Sequence, residues 1–208
     1  MEGSATTGQP IPANQPNPAE TPAATTGQPM PIPAGQPNPT SLPAPADVQV
    51  RLIRPGDAEA TRRIYNVEVT GSTATFDLRP RTRDAHQRWV AAHLGGHPAV
   101  VATVGGTVAG FASLSPFRDR PAYVTSVEDS VYVDRAWRGR GLGRRLLDEV
   151  LRRAGDHGFH TVIARIEAGN TPSIALHLAC GFTEVGTERE VGRKFGRWLD
   201  VTILQRML

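Results

Sequence analysis

The sequence has one cysteine, Cys180, one lysine, Lys194, and no apolar run near the roughly 20 residues that a bilayer-spanning helix needs. A single cysteine excludes an internal disulfide framework and a thiolate metal cluster, and it suits a reducing compartment. The first residues lack the basic stretch and apolar segment of a secretory signal, so a cytoplasmic protein with no membrane partner is expected. Residues 1–46 lack more still. They contain no aromatic side chain, no Lys or Arg and only two acids, Glu2 and Glu20, yet they hold 12 of the 18 prolines. Such a segment has too little apolar surface to offset the entropy lost on ordering, which predicts a disordered proline-rich tail. It contains an imperfect duplication, TTGQPIPANQPNP from Thr6 and TTGQPMPIPAGQPNP from Thr25, whose prolines favour an extended spacer. Deleting residues 1–46 is therefore expected to leave the melting temperature within error of the full chain, as scanning calorimetry would check.

What is present begins at Asp47. From there the chain carries all 23 basic side chains, all 12 aromatics and all the acids but two, the size and make-up of one domain over residues 47–208. Its Arg residues are scattered with acids between them rather than gathered in a stripe with aromatics, so no nucleic-acid partner is expected. Val48, Val50 and Leu52 alternate with polar residues as in a half-buried strand. A helix is expected from Asp57 to Val69, with Ala58, Ile64, Tyr65 and Val69 inward. A second should run from Thr82 to His93, capped by Thr82, with Trp89, Val90 and Leu94 inward. Ala99 to Val104, the Gly105-Gly106 turn and Val108 to Leu114 read as a hairpin. There follow a strand from Tyr123 to Val133, a helix from Gly143 to His157, a strand from Thr161 to Ile166 and a short helix from Pro172 to Ala179. Two more strands, Phe182 to Arg189 and Trp198 to Leu208, end the chain. The order β-α-α-β-β-β-α-β-α-β-β predicts an α/β (α+β) fold: a mixed central sheet of about seven strands flanked by helices.

The most informative segment is SVYVDRAWRGRGLGRRLLDEVLRRA, from Ser130 to Ala154. A strand leads through Arg138-Gly139-Arg140-Gly141-Leu142-Gly143 straight into a helix. Leu142, Leu146, Leu147, Val150, Leu151 and Ala154 form its apolar stripe. Arg144-Asp148, Arg145-Glu149, Asp148-Arg152 and Glu149-Arg153 are opposite charges at i, i+4 on its far side. At the helix start the glycines let an anion approach main-chain N–H groups that have no intrahelical partner, and the helix dipole favours negative charge there. Two other nucleotide loops are excluded. The segment has no Gly-Lys-Ser/Thr ending, and Arg144 follows Gly143 with no acid ending a strand about 20 residues on.

The pattern [Q/R]-x-x-G-x-[G/A] between strand and helix, met by Arg138, Gly141 and Gly143, resembles the acetyl-coenzyme A loop of the GNAT superfamily of N-acetyltransferases. The likeness extends over nearly all of residues 50–208. More narrowly, IYNVEVTGSTATF, SPFRDRPAYVTSVEDSVYVD, NTPSIALHLACGF and WLDVTILQRML are similar to the phosphinothricin N-acetyltransferase subfamily. The resemblance implies the GNAT fold, acetyl-coenzyme A as co-substrate with no metal, a small amine as acceptor, and a homodimer. It implies cofactor contacts from Val131, Tyr132, Val133, Arg138, Gly139, Arg140, Gly141, Leu142, Gly143, Arg144, Asn170 and Ser173, with the thioester in the V where the strands of Val131 and Val162 splay apart. For the acceptor it implies Phe76, Arg118, Arg120 and Tyr123; an Arg can clamp a carboxylate or phosphinate through two donors. Leu199 departs from the subfamily, which often has His there.

Glu128 stands in a strand where alternation favours an uncharged residue. Partial desolvation there would raise its pKa and let it take a proton from an ammonium group, the general-base role the resemblance also implies. Asp129 points to the opposite face and reads as a solvated ion-pair partner. For His177 the resemblance implies the acid that protonates the departing thiolate, against a structural hydrogen bond; Asn170 is either a pantetheine contact or a helix cap. Cys180 reads as a small buried hydrophobe rather than a nucleophile. His93 and His97 have metal-ligand spacing, but Gly95 and Gly96 break the helix that would align them, so no metal site is expected. The alternative to an enzyme is a non-catalytic acetyl-coenzyme A-binding sensor or scaffold module.

Overall fold

The computed structural model describes residues 47–208; the proline-rich segment and its duplication lie outside the described residues. Strands β1 (Val48–Leu52), β2 (Ala99–Val104), β3 (Thr107–Pro116), β4 (Ser126–Val133), β5 (Thr161–Glu167), β6 (Thr183–Lys194) and β7 (Arg197–Met207) form one sheet in the order β1-β2-β3-β4-β5-β7-β6. All neighbours are antiparallel except β4 and β5. Helices α1 (Ala58–Gly71), α2 (Arg83–Ala92), α3 (Leu142–Asp156) and α4 (Thr171–Ala179) flank it. The element order expected from periodicity is the one found.

The sheet has a hydrophobic cluster on each face. On one, the α3 stripe Leu142, Leu146, Leu147, Val150, Leu151 and Ala154, none more than 3% exposed, packs on Val100, Ala112, Val127 and Val162. Burying each of these Leu side chains contributes about 2–3 kcal/mol. On the other face, Ile64, Tyr65 and Val69 of α1 and Val90 of α2 pack on Val101 and Phe111. Both faces of β4 are therefore covered along much of its length, as a central strand requires.

Four expectations need correction. Leu94 is exposed, because α2 ends at Ala92 and His93 caps it. The strand expected from Tyr123 starts at Ser126; Pro121, whose fixed φ suits the first position of a helical turn, opens a 3-10 turn over Pro121–Tyr123. The strand expected to stop at Arg189 continues to Lys194, past a register shift where Glu190 has φ 51° and its N–H donates to Asp200 Oδ1 at 2.8 Å. On α3, Arg144–Asp148 and Glu149–Arg153 pair as expected, but Arg152 reaches Glu149 and Asp156 rather than Asp148.

Candidate functional site

β4 and β5 pair only at Ser126↔Thr161, Val127↔Val162 and Glu128↔Ile163. Beyond that, β4 stays with β3 as far as Val133, and β5 stays with β7 as far as Glu167. The sheet opens as a V whose facing edges carry main-chain donors and acceptors without a ladder partner. The strands of Val131 and Val162 thus splay apart as expected, the parting beginning at Asp129 and Ala164.

Above the V lies a cleft of about 490 Å³. Val131, Tyr132, Val133, Arg138, Gly139, Gly141, Leu142, Gly143, Asn170 and Ser173 all line it, together with Trp137, Leu176, Glu68, Glu167 and residues 72–74. A smaller cavity of about 60 Å³ sits deeper in the V, between Asp129–Tyr132, Ala164–Glu167, Asn170, Ser173 and His177. At the mouth, Gly141 is the N-cap of α3 with φ 77° and ψ 2°, and no side chain caps that end. This left-handed conformation is open to glycine and strained for a branched residue. The first main-chain donors of α3 thus face the cleft free for an anion, which fits a pyrophosphate. Arg140 and Arg144 do not line the cleft: Arg140 stacks on Trp137 at 5.0 Å, and Arg144 bonds Asp148 at 3.2 Å. Arg138 donates from Nε to the Val133 carbonyl at 3.1 Å and from Nη2 to Glu68 Oε1 at 2.8 Å.

Glu68 was missed in the sequence although it falls on the inward stripe of α1. It is 2% exposed and accepts from Arg135 at 2.9 Å and from Ser72 at 2.6 Å besides Arg138. Burial alone would raise its pKa; the bonds from Arg135 and Ser72 and the two guanidinium charges outweigh that and hold it below the usual range. The acid thereby ties α1 to the loop before α3. Glu167 was missed as well. It lines both cavities, accepts from Thr73 Oγ1 at 2.9 Å and links the segment after α1 to β5.

Glu128 is the last paired residue below the V, opposite Ser115 on β3 and Ile163 on β5. Burial raises its pKa; Arg165 opposes that, and Asp129 and Glu188 add to it. Asp129 is not solvated. It is 5% exposed, and its Oδ2 lies 3.0 Å from His177 Nε2. Alternation put it on the other face from Glu128 correctly, but that face is also covered. His177, 3% exposed, uses its other nitrogen, Nδ1, to donate to the Ser173 carbonyl at 2.7 Å. Burial alone would lower the His177 pKa; the bond and charge of Asp129 and the Ser173 carbonyl raise it above the ordinary value. Asn170 caps α4, accepting from Ser173 N at 3.3 Å, and lines the cleft as well, so its two readings coexist.

The residues expected at the acceptor do not line either cavity. Arg118 lies over Phe117 at 4.9 Å and Tyr123 at 5.7 Å in the segment before β4, and Arg120 is exposed beside them. Phe76 sits against Gly192 of β6, where a Cβ would overlap its ring. His93 and His97 are not brought together on a metal: His93 Nδ1 bonds the Trp89 carbonyl at 2.7 Å, and His97 packs on Phe159 at 5.4 Å. Cys180 is buried, and burial pushes its thiol up to about 11. It is expected to resist a thiol reagent such as Ellman's at pH 8 in the folded protein and to react fully in denaturant, as absorbance would record.

Comparison with known proteins agrees with this geometry. The sequence pattern of the Acetyltransferase (GNAT) family matches residues 61–182. The chain is 39% identical to an L-methionine sulfoximine/L-methionine sulfone acetyltransferase of Salmonella typhimurium, over 76% of this chain and 94% of that one. It is 37% identical to a phosphinothricin N-acetyltransferase of Alcaligenes faecalis, over 76% of this chain and 82% of that one. Among solved structures, a phosphinothricin acetyltransferase of Sinorhizobium meliloti in complex with acetyl-coenzyme A superposes with a TM-score of 0.75 at 37% identity, over 77% of this chain and 88% of the other. Fold, cleft and these likenesses together make the chain a member of the GNAT family of acetyltransferases and an acetyl-coenzyme A-dependent N-acetyltransferase.

Proposed function

We propose that the protein acetylates the primary amine of a small amino-acid-like acceptor of the phosphinothricin, methionine sulfone or methionine sulfoximine type, by direct transfer with Glu128 as base. The observation that carries this reading is the opening of the sheet immediately above half-buried Glu128, which itself lines neither cavity, with one cleft running from that opening to the bare N-terminus of α3. When bound, acetyl-coenzyme A supplies the acetyl thioester that an amine attacks. Leu142 to Arg144 would hold its pyrophosphate through main-chain N–H groups, and the unpaired edge of β4 near Val131 would offer a donor to the thioester carbonyl. Glu128 would take the proton of the acceptor's ammonium, directly or through water. A buried thiol pushed up to about 11 supports transfer without a Cys180 acyl intermediate. Of the two roles open to His177, its two committed nitrogens favour the hydrogen-bonding one over the acid. Arg118, Arg120 and Tyr123, on the segment that leads into the strand of Glu128, would meet the acceptor's acidic group from the solvent side, with Phe76 near by.

A thiol-release assay over amino-acid analogues tests the proposal. Turnover with methionine sulfone, methionine sulfoximine or phosphinothricin is expected. Acetyl-coenzyme A binding without turnover on any amine would favour the sensor or scaffold reading. The same reading has the enzyme in the cytoplasm as a homodimer formed by the folded domain, which light scattering on a chain starting at Asp47 would check.

A further inference from the structure

One buried carboxylate joins two segments of the cleft wall. Glu68, in the last turn of α1, accepts on Oε1 from Arg135 Nε at 2.9 Å and from Arg138 Nη2 at 2.8 Å, and on Oε2 from the Ser72 hydroxyl at 2.6 Å. Arg135 opens the 3-10 turn Arg135–Trp137, and Arg138 follows it, so Glu68 holds both ends of the turn through which β4 passes into the glycine loop. Ser72 begins the run of residues 72–74 that lines the cleft. At the end of α1, a Cβ on Gly71 would stand 2.9 Å from Arg135 Nη2 and push that guanidinium aside. Arg138 is fixed a second time, by the bond from its Nε to the Val133 carbonyl at 3.1 Å.

An apolar side chain at position 68 would fill the same space with less desolvation, but it could not hold two guanidinium groups in one geometry. The glycine loop has little with which to fix itself. Gly139 and Gly141, at φ 74° and 77°, carry no side chain to anchor them, Arg140 Nε has no hydrogen-bond partner among the described residues, and no side chain caps α3. The loop therefore takes its aim from the turn before it. A carboxylate has no donor for a phosphate and would repel one, so Glu68 is not itself a ligand of the pyrophosphate.

We propose that Glu68 is a positioning residue for the cofactor: by holding both ends of the Arg135–Trp137 turn through Arg135 and Arg138, it aims the N–H groups of Leu142 to Arg144 at the pyrophosphate. This rests on the reading of the cleft as the acetyl-coenzyme A site.

Glu68→Gln keeps the shape and an accepting oxygen but replaces the charge-assisted bonds to the two arginines by weaker ones. Titration calorimetry on the full chain should show the dissociation constant for coenzyme A rising about fivefold or more. Turnover at saturating acetyl-coenzyme A, on an amine that the wild type acetylates, should stay within about twofold, because the reacting atoms lie elsewhere. Turnover lost in step with binding would mean that Glu68 supports the fold at large, and an unchanged or lower constant would mean that it aims nothing; either result overturns the proposal. Arg138→Gln completes a double-mutant cycle. If the acid acts through the arginine, the double variant binds coenzyme A about as weakly as the weaker single one, whereas additive losses would refute the coupling. Should Glu68→Gln not fold, Arg135→Gln takes its place, since Arg135 is half-exposed and stands outside the cleft wall. Its coenzyme A constant should rise as well, and an unchanged one refutes the clamp. A wild type that does not bind coenzyme A would overturn the reading of the cleft, and the proposal with it.

Discussion

Glu128→Gln is expected to lower turnover at neutral pH by roughly 10²-fold or more while leaving acetyl-coenzyme A binding intact. The substitution keeps size and hydrogen-bonding shape but removes the group that receives the ammonium proton. Raising the pH should partly rescue the variant, because the amine then loses its proton to solvent. In the wild type the acid limb of the rate profile should lie above the ordinary carboxylate range, since burial raises the pKa of Glu128 and the base must be ionised to work. The stability sign follows from the same shift. A carboxyl with a raised folded pKa stabilises the fold below its unfolded pKa and gives that up as pH rises through the folded value. At pH 7 the neutral Gln should therefore keep or raise the melting temperature, so a loss of rate cannot be put down to unfolding. Wild-type turnover by Glu128→Gln at pH 7 would remove the residue from the mechanism.

Gly141→Val is expected to raise the KM for acetyl-coenzyme A about tenfold or more, equivalent to about 1.4 kcal/mol. Two causes act together. At φ 77° a β-branched residue is strained, which shifts the first turn of α3 away from the geometry that presents its N–H groups. In addition, a Cβ at Gly141 meets no protein atom within 4 Å, so the branched side chain stands in the mouth of the cleft. Gly141→Ala carries the strain without the branch and should show a smaller rise. Circular dichroism and the affinity for the acceptor serve as controls. A folded valine variant with an unchanged KM would reduce the loop to a simple turn.

The residues that failed to be legible share a physical reason. Period-2 alternation separates Glu128 from Asp129 but does not say that both faces of β4 are covered, so by alternation alone Asp129 reads as solvated, whereas His177 of α4 lies against it. Glu68 falls at helical spacing with Thr61, Ile64 and Tyr65, which marks it as inward, yet its partners Arg135 and Arg138 lie about 70 residues away. Lys194, the one lysine, is buried and donates to the Thr75 carbonyl at 2.6 Å, a contact across 119 positions that no local pattern encodes.

What the sequence determined by itself is local. Apolar periodicity set the order of the α-helices and strands, though not the 3-10 turns between them, the α3 stripe set which face packs, and the glycines ahead of Leu142 set an uncapped helix start where an anion can sit. Only the tertiary structure decided where β4 and β5 part, which carboxylates lie beside that opening, and that both nitrogens of His177 are already committed. Backbone propensity acts over a few residues and can be read from them. Strand partners, burial of both sheet faces and ion pairs between distant segments depend on how the whole chain packs, and they exist only once it has done so.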